Sequence, residues 1–224
     1  MIYLVKSVKN EYSEDFINGR LFFNDIEFYH EIEDKKVGDD QEGIMKSVHD
    51  SKQGYEVFIN GSKLGTAWNV INQMEPKFSV PIKLACFSYI DCEDIEIDIN
   101  DNINIKESYF KELERLNGER RLFLCQDVEK FMEEIDKSIK GKNIEIQTDC
   151  VSYYDKEHPL EQSLNNLENL SNKERDKIAK DIMFYKDIKY QKQKEWRILS
   201  LGQKNNVLHI ENMKDSWTEI TEYV

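Results

Sequence analysis

Residues 80–90, VPIKLACFSYI, narrow the fold of this chain more than any other stretch. Apolar side chains follow one another almost without interruption, which is typical of a strand that is largely buried. Shortly afterwards, Ile95, Ile97 and Ile99 alternate with acidic residues, which predicts a strand with one exposed face. A chain with a buried central strand needs neighbouring strands to pair with it, so a sheet is expected.

Strand and helix patterns follow one another along the rest of the chain. IYLVKS near the start predicts a strand, and EYSEDFIN predicts a helix that ends at Asn18-Gly19. Asn24 is predicted to cap a helical segment after the short extended piece LFF, and DVEKFMEEIDKSIKGK predicts a helix between Asp127 and Gly141. The remaining predicted elements are helices at 106–116 and in KERDKIAKDIMFY, and strands at 121–125 and 144–154.

Two hairpins are predicted. YEVFI precedes Asn60-Gly61 and a run that ends near Trp68, and Asn-Gly favours a type I′ turn because both residues tolerate positive φ. EWRILSL and NVLHI are predicted to pair around residues 202–206. Together these patterns predict an α+β fold, a single domain over 1–224 with a mixed, largely antiparallel sheet and flanking helices. The polar stretch 155–177 is predicted to be a helical or mobile segment of that domain.

Charge and hydropathy limit the expected partners. The 224 residues carry 31 basic and 44 acidic side chains, a net charge of −13, which disfavours binding of bulk nucleic acid because phosphate contacts need concentrated positive charge. The sequence lacks an apolar run of about 18 residues, so a cytoplasmic protein with no membrane partner is expected. The cysteines form no CxxC pair and are expected to be free thiols: Cys86, Cys92, Cys125 and Cys150.

Several motifs of enzymes and cofactor-binding proteins are missing from the sequence. The histidines lie far apart without the spacing of a zinc site, and neither a phosphate-binding glycine loop nor a GxSxG motif occurs. The loop with Asp39, Asp40 and Glu42 is compact enough for Mg²⁺ or Ca²⁺, but it lacks the alternating acids of a calcium loop. A solvated acidic loop is therefore favoured over a metal site.

The segment YKDIKYQKQKEWRIL contains the most promising polar residues. If EWRIL is a strand, Glu195 and Arg197 point to one face, and Trp196 and Ile198 point to the other. Two interpretations stay open. The first is a salt bridge on an exposed sheet, which contributes little stability, and the second is a carboxylate that a guanidinium holds in a cleft. Residues 186–197 carry five basic side chains against two acidic ones, a balance that is compatible with a small anionic ligand there.

Short motifs, in order along most of the chain, resemble a known family. IYLVKS, FINGRLFFNDIEFYHEIED, VGDDQEG, LACFS and the late EWRI resemble bacterial and phage proteins related to the domain-of-unknown-function 2971 group. Members usually have Arg-Gly-Asp where this chain has Val37-Gly38-Asp39, so the loop lacks a base for binding an anion. The matching positions are Tyr3, Gly19, Phe22, Phe23, Asn24, Tyr29, Gly38, Asp39, Glu42, Gly43, Lys186, Tyr190, Gln193, Glu195 and Arg197.

The order of elements is also similar to that of ADP-ribosyltransferase-like folds. This resemblance implies NAD or an ADP-ribose-like ligand, because cleavage of the nicotinamide bond builds an oxocarbenium-like ribose that a carboxylate stabilises. It implies that Glu195 is the catalytic carboxylate, that Tyr3 or Lys6 holds the ribose, and that Tyr29 stacks on the nicotinamide. The His or Arg that opens many such enzymes is not evident, so an inactive binding derivative is implied equally. The other expected ligand-binding positions are Asp39, Glu42, Lys186, Tyr190, Gln193 and Arg197.

A different class of function also stays open. The net charge is compatible with a non-enzymatic phage or mobile-element protein that binds and inhibits a host defence protein through an acidic surface, with Glu93, Asp94, Glu96 and Asp98 as its centre. Convergence of the candidate residues in space is the observation that tests a shared site. The loop with Asp39 and the strand with Glu195 lie about 150 residues apart, and a shared site would explain their meeting.

Overall fold

The computed structural model describes residues 3–31, 43, 45–59, 62–74, 80–99, 103–114, 119–155 and 171–220. The chain divides into two compact units, the first built from residues 1–40, 78–151 and 190–224 and the second from residues 41–77 and 152–189. The described part contains no helix that is long and apolar enough to cross a membrane.

The described elements are mostly short strands with helices between them. In chain order they are β1 (Tyr3–Lys9), α1 (Asn10–Ile17), β2 (Arg20–Phe22), α2 (Ile26–Glu31), β3 (Met45–Ile59), β4 (Ser62–Met74), β5 (Ile82–Ile90), β6 (Ile95–Ile97), β7 (Ile103–Ile105), α3 (Glu107–Glu114), β8 (Arg120–Cys125), α4 (Val128–Ile139), β9 (Glu145–Cys150), β10 (Ser152–Tyr154), α5 (Asn172–Ile182), β11 (Tyr185–Asp187), β12 (Glu195–Leu201), β13 (Val207–His209) and β14 (Trp217–Ile220). Two 3₁₀ helices, Ile188–Gln193 and Met213–Asp215, complete the description.

A six-stranded sheet forms the centre of the first unit. Its strand order is β14-β8-β1-β5-β12-β9, and each neighbouring pair is antiparallel. Strand β5, the run predicted to be buried, lies between β1 and β12. The register of β5 and β12 sets Ser88 opposite Glu195 and Cys86 opposite Arg197. The predicted α+β class, with a largely antiparallel sheet and flanking helices, is confirmed.

Apolar side chains cover both faces of this sheet. On one face, Trp217 lies at the centre of an aromatic group, with its ring centroid 5.2 Å from those of Phe16 and Phe131 and 5.6 Å from that of Phe87. On the other face, α3 packs Tyr109 and its neighbours Phe110 and Leu113 against the sheet. Burial of such side chains is the main favourable contribution to folding, at about 25 cal/mol per Å² of apolar surface.

Local signals in the sequence account for several helix ends of the first unit. The Asp127 side chain accepts a hydrogen bond from the Lys130 amide at 2.9 Å and caps α4, as predicted. Helix α1 ends before Asn18-Gly19, also as predicted, and Gly19 takes φ 92°. A Cβ atom at Gly19 would lie 2.0 Å from the Ile210 carbonyl oxygen, so this position requires glycine.

The second unit contains the long hairpin of β3 and β4. Its register runs from Met45 opposite Met74 to Ile59 opposite Ser62, so the predicted hairpin is confirmed with longer strands than expected. Asn60 and Gly61 lie outside the described residues. Strands β10 and β11 form a parallel pair in the same unit, and Ser171 begins α5 with a capping box to Glu174. Of the predicted segment 155–177, residues 156–170 lie outside the described part.

The predicted hairpin of EWRILSL and NVLHI is wrong. Both edges of β12 are already taken, by β5 on one side and β9 on the other, so β13 pairs with β2 instead. The chain leaves β12 at Gly202, which has φ 87° and donates its amide to the Pro81 carbonyl at 2.8 Å. A Cβ atom there would lie 2.4 Å from the Asn143 carbonyl oxygen.

Two smaller predictions also need correction. Asn24 does not begin a helix, because its backbone pairs with that of Leu84 through hydrogen bonds of 2.9 and 2.8 Å, and α2 starts two residues later. The predicted strand 144–154 is two strands that separate at Val151, whose amide donates to the Glu195 carbonyl at 2.8 Å. Strand β9 belongs to the first unit and β10 to the second.

Candidate functional site

Strand β12 carries an ion pair on its polar face. Trp196 and Ile198 enter the apolar core, while Glu195 and Arg197 point to the opposite face, as the alternation predicted. Arg197 Nε donates to Glu195 Oε1 at 2.6 Å. Glu195 is 6% exposed and Arg197 is 0% exposed, so the alternative of a salt bridge on an exposed sheet is wrong.

Burial changes what this ion pair means energetically. Removing two charges from water costs on the order of several kcal/mol per ion, and this penalty is similar in size to the free energy of their mutual attraction. A buried ion pair therefore adds little net stability to a fold. An apolar pair of similar volume would stabilise the centre of a sheet at least as well. The burial of Glu195 and Arg197 is therefore weak evidence that the pair stabilises the fold.

Lys6 approaches the same region from β1. The pairing of β1 with β5 runs from Tyr3 opposite Ile90 to Val5 opposite Ser88, whereas β1 continues to pair with β8 as far as Lys9. Lys6 Nζ donates to the Cys86 carbonyl at 2.5 Å and lies 4.7 Å from the centroid of the Phe87 ring. Burial lowers the pKa of Lys6, and the nearby negative charge of Glu195 opposes that change.

Tyr29 reaches the region from α2. Its hydroxyl lies 3.4 Å from both the Leu84 carbonyl oxygen and Cys86 Sγ. Burial raises the pKa of Tyr29 well above its usual value, and the charge of Glu195 adds to the rise. Burial likewise raises the pKa of the Cys86 thiol to about 12, so this group is a neutral hydrogen-bonding partner and not a nucleophile near neutral pH.

We refer to Lys6, Tyr29, Cys86, Glu195 and Arg197 as the polar cluster. Four of these residues were candidate site residues in the sequence, and the structure brings those four together from β1, α2 and β12. Cys86 was missed, because it lies in the apolar run at residues 80–90 and was expected only to be a free thiol. The register that sets Cys86 opposite Arg197 would have found it, but this register depends on long-range pairing.

The other candidate residues lie in several places. Tyr3, at the start of β1, is 38% exposed and faces Ile90 across the strand pair. Tyr190 is buried in the 3₁₀ helix before β12, where the Gln193 carbonyl accepts a hydrogen bond from Ser88 Oγ at 2.9 Å. Lys186 is buried on β11 of the second unit. Asp39 and Glu42 lie outside the described residues, so their assignment to ligand binding stays a prediction.

Two surface grooves of the first unit lie elsewhere. Their volumes are about 440 and 390 Å³, and both are lined by His209, Glu211 and Asn212. The residues of the polar cluster line neither groove. Within the described ranges, His, Cys, Asp and Glu side chains form no group of three or more that could hold a metal ion.

The acidic stretch after β5 is partly used inside the fold. Lys194 Nζ bonds to Asp91 Oδ2 at 2.9 Å and to Asp94 Oδ2 at 2.7 Å. Glu93 and Glu96 are exposed. Of the acidic surface predicted from Glu93, Asp94, Glu96 and Asp98, Asp94 is therefore not available to a partner, because it is bound to Lys194 within the fold.

The chain was also compared with known proteins. Searches against protein-family models, curated proteins and solved structures give no match. The two resemblances rest on the sequence motifs and on the order of elements alone.

Proposed function

We propose that the polar cluster is the centre of a nucleotide-related site that takes NAD or an ADP-ribose-like ligand. The protein would act in conflict between bacteria and phages, as an ADP-ribosyltransferase-like enzyme or as a binding derivative of one. The observation that carries this proposal is the convergence of Lys6, Tyr29, Glu195 and Arg197, which come from opposite ends of the chain and meet beside the central strand.

Glu195 is the residue to which we assign the chemistry. The bond from Arg197 Nε fixes the orientation of its carboxylate and favours the ionised form. An oriented carboxylate accepts a hydrogen bond from a ribose hydroxyl, and it stabilises the positive charge that develops on ribose as the bond to nicotinamide breaks. This role requires a carboxylate, so the amide of glutamine should not replace it in catalysis.

Lys6 and Arg197 are the residues that we assign to the anionic part of the ligand. Together with Glu195 they carry two positive charges and one negative charge when Lys6 is protonated, a balance that favours a diphosphate. Burial already lowers the pKa of Lys6, and a phosphate nearby would raise it again. Ligand binding at high pH should therefore be accompanied by uptake of a proton.

Tyr29 is assigned to the nucleoside part of the ligand. Its ring makes an edge contact with Phe28, with centroids 5.6 Å apart, and Phe28 is exposed. Such an aromatic pair offers a surface on which a planar base or nicotinamide can stack. Its hydroxyl, which lies close to the Cys86 thiol, is positioned as a hydrogen-bonding group of the cluster.

Calorimetric titration with NAD and with ADP-ribose tests the proposal directly. We expect saturable binding by the wild type and, for an enzyme, release of nicotinamide that Glu195→Gln abolishes. Glu134→Gln is the matched control, because Glu134 is a similarly buried carboxylate in an ion pair, with Lys137 at 2.7 Å, outside the polar cluster. Absence of heat with NAD, ADP-ribose and other nucleotides, together with unchanged activity of Glu195→Gln, would refute the proposal. Binding without nicotinamide release would identify a binding derivative.

A second candidate function is inhibition of a host defence protein by direct binding. The observation in its favour is the exposed surface at β6, where the exposed acids Glu93 and Glu96 precede Ile97, which is 66% exposed. The test is capture of a partner from host lysate, followed by charge reversal at Glu93 and Glu96 only, because Asp94 is bound to Lys194. Reversal of the exposed acids Glu133 and Asp136 on α4 is the control. Retention of every partner after the first reversal would count against this function.

A further inference from the structure

Lys194, the residue before Glu195, has an unusual backbone. Its φ is 43°, in the left-handed region that residues with a side chain rarely adopt. Residues held in this region persist only where surrounding contacts enforce them, and such positions are concentrated at functional sites. The contacts that enforce this conformation can be identified from both the side chain and the backbone of Lys194.

The side chain of Lys194 is bound by two carboxylates that are themselves held in place. Its ammonium contacts Asp91 and Asp94 at 2.9 and 2.7 Å. Asp94 Oδ2 also accepts from the Asp91 amide at 3.0 Å, and Asp91 Oδ1 accepts from the Glu93 amide at 2.7 Å. The Lys106 amide donates to the Asp94 carbonyl at 2.7 Å, so the loop is anchored from outside as well. We call this arrangement the carboxylate clamp.

The backbone of Lys194 is held on both sides. Its amide donates to the Gln191 carbonyl at 3.1 Å, and its carbonyl accepts from the Tyr89 amide at 2.8 Å. The chain thus turns from the 3₁₀ helix into β12 at this one residue. The next residue, Glu195, then starts the strand opposite Ser88.

This turn leads directly into the register that sets which side chain of β12 faces the polar cluster. Because side chains alternate along a strand, a shift of one residue would exchange Glu195 for Trp196 on the polar face. It would also place Glu195 in the apolar core that Trp196 and Ile198 occupy. The conformation of Lys194, together with the pairing of β12 with β5 and β9, therefore places the carboxylate of Glu195 on the face of the polar cluster.

We propose that Lys194 is a positioning residue for Glu195, and that the carboxylate clamp of Asp91 and Asp94 holds it in that role. The inference rests on the proposed nucleotide-related site for its functional consequence. Lys194 does not contact the ligand in this proposal. It sets the register and orientation of the residue that does.

The experiment compares three variants by three measurements. Lys194→Met and the double variant Asp91→Asn, Asp94→Asn remove the clamp, while Lys194→Arg keeps a cation that can bridge both carboxylates. The measurements are hydrogen exchange of the Tyr89 amide, the pKa of the Glu195 carboxyl by NMR, and affinity for ADP-ribose by calorimetry. Lys130→Met is the control, because it removes an exposed lysine that pairs with Asp215 at 3.1 Å.

We expect loss of the clamp to accelerate Tyr89 exchange, to shift the Glu195 pKa and to weaken ADP-ribose binding by about tenfold, the effect of one lost hydrogen bond to a charged group. Lys194→Arg should restore all three, and Lys130→Met should change none. If Lys194→Met fails to fold, the double asparagine variant tests the role of the clamp, because it keeps Lys194 itself unchanged.

The outcomes separate this inference from the proposed function. Unchanged Tyr89 exchange and Glu195 pKa in both clamp variants would overturn the role of Lys194. Wild-type ADP-ribose affinity in variants whose Tyr89 exchange is accelerated would also overturn it. If the wild type binds no ADP-ribose, the proposed function fails, and the Glu195 pKa alone then tests the role of Lys194. A Glu195 pKa that shifts in the clamp variants and returns in Lys194→Arg supports the positioning role. An unchanged Glu195 pKa in the clamp variants overturns it.

Discussion

Arg197 Nε lies 2.6 Å from Glu195 Oε1, and both side chains are buried beside the central strand β5. Two residues apart on one strand, they share a face of β12 with Leu199 and Leu201 and lie at the start of that face. The two side chains can pair because strand alternation places them on one face, whereas they are buried because neighbouring strands surround β12.

Breaking this ion pair should be costly. Arg197→Met leaves the Glu195 carboxylate buried without its guanidinium, and we expect the free energy of unfolding in urea at pH 7 to fall by about 3 to 5 kcal/mol. The double variant Glu195→Leu, Arg197→Met should recover most of this loss, because neither charge remains. Lys111→Met, which removes an exposed pair with Glu107, is the control and should cost at most about 0.5 kcal/mol. Equal losses of unfolding free energy in Arg197→Met and Lys111→Met would contradict the burial of the pair of Glu195 and Arg197.

Cysteine reactivity should follow exposure and pKa. Burial raises the pKa of both Cys86 and Cys125 to about 12, so at pH 8 only about one ten-thousandth of each thiol is ionised. We expect iodoacetamide at pH 8 to modify the exposed Cys92 first, with Cys86 and Cys125 modified only after denaturation. Mass spectrometry of the digested protein measures the order, and Cys92→Ser should remove the fast phase. Rapid modification of Cys86 in the folded protein would contradict the raised pKa of its thiol.

Lys6 should make stability depend on pH in the alkaline range. Because burial lowers its folded pKa, the unfolded chain binds more protons between that folded pKa and the usual value of 10.5. The contribution of Lys6 to stability should therefore rise with pH through this window and be least favourable below it. The measurement is the difference in unfolding free energy between wild type and Lys6→Met from pH 7 to pH 11. A difference that falls with pH would contradict the lowered pKa of Lys6.

Two glycines with similar backbones should respond differently to alanine. Gly141 has φ 77° and open space around it, so Gly141→Ala should cost about 1 to 2 kcal/mol from the backbone alone. Gly202 has φ 87°, and its new Cβ would also meet the Asn143 carbonyl oxygen at 2.4 Å. We expect Gly202→Ala to cost about 1 to 3 kcal/mol more than Gly141→Ala, since the backbone must shift. Urea unfolding measures both, and equal costs would rule out the close approach at Gly202.

The features that the sequence predicted correctly depend on neighbours along the chain. The alternation in EWRIL placed Glu195 and Trp196 on opposite faces, and Asp127 marked the start of α4. The errors involve partners far apart in sequence. The hairpin of EWRILSL and NVLHI failed because β5 and β9 already occupy both edges of β12, and no local pattern reports that. Cys86 entered the polar cluster through the same long-range register.

The contact between Lys6 and the Cys86 carbonyl has a consequence for the mechanics of the sheet. Where β1 and β5 cease to pair, the Lys6 ammonium takes the place of a peptide N–H and donates a hydrogen bond to the Cys86 carbonyl of the neighbouring strand. A ligand that draws this ammonium toward itself must leave that carbonyl to find another donor. Binding of an anion in the polar cluster and pairing between β1 and β5 are thereby thermodynamically linked. A bound anion would therefore weaken the pairing of these two strands in the middle of the first unit.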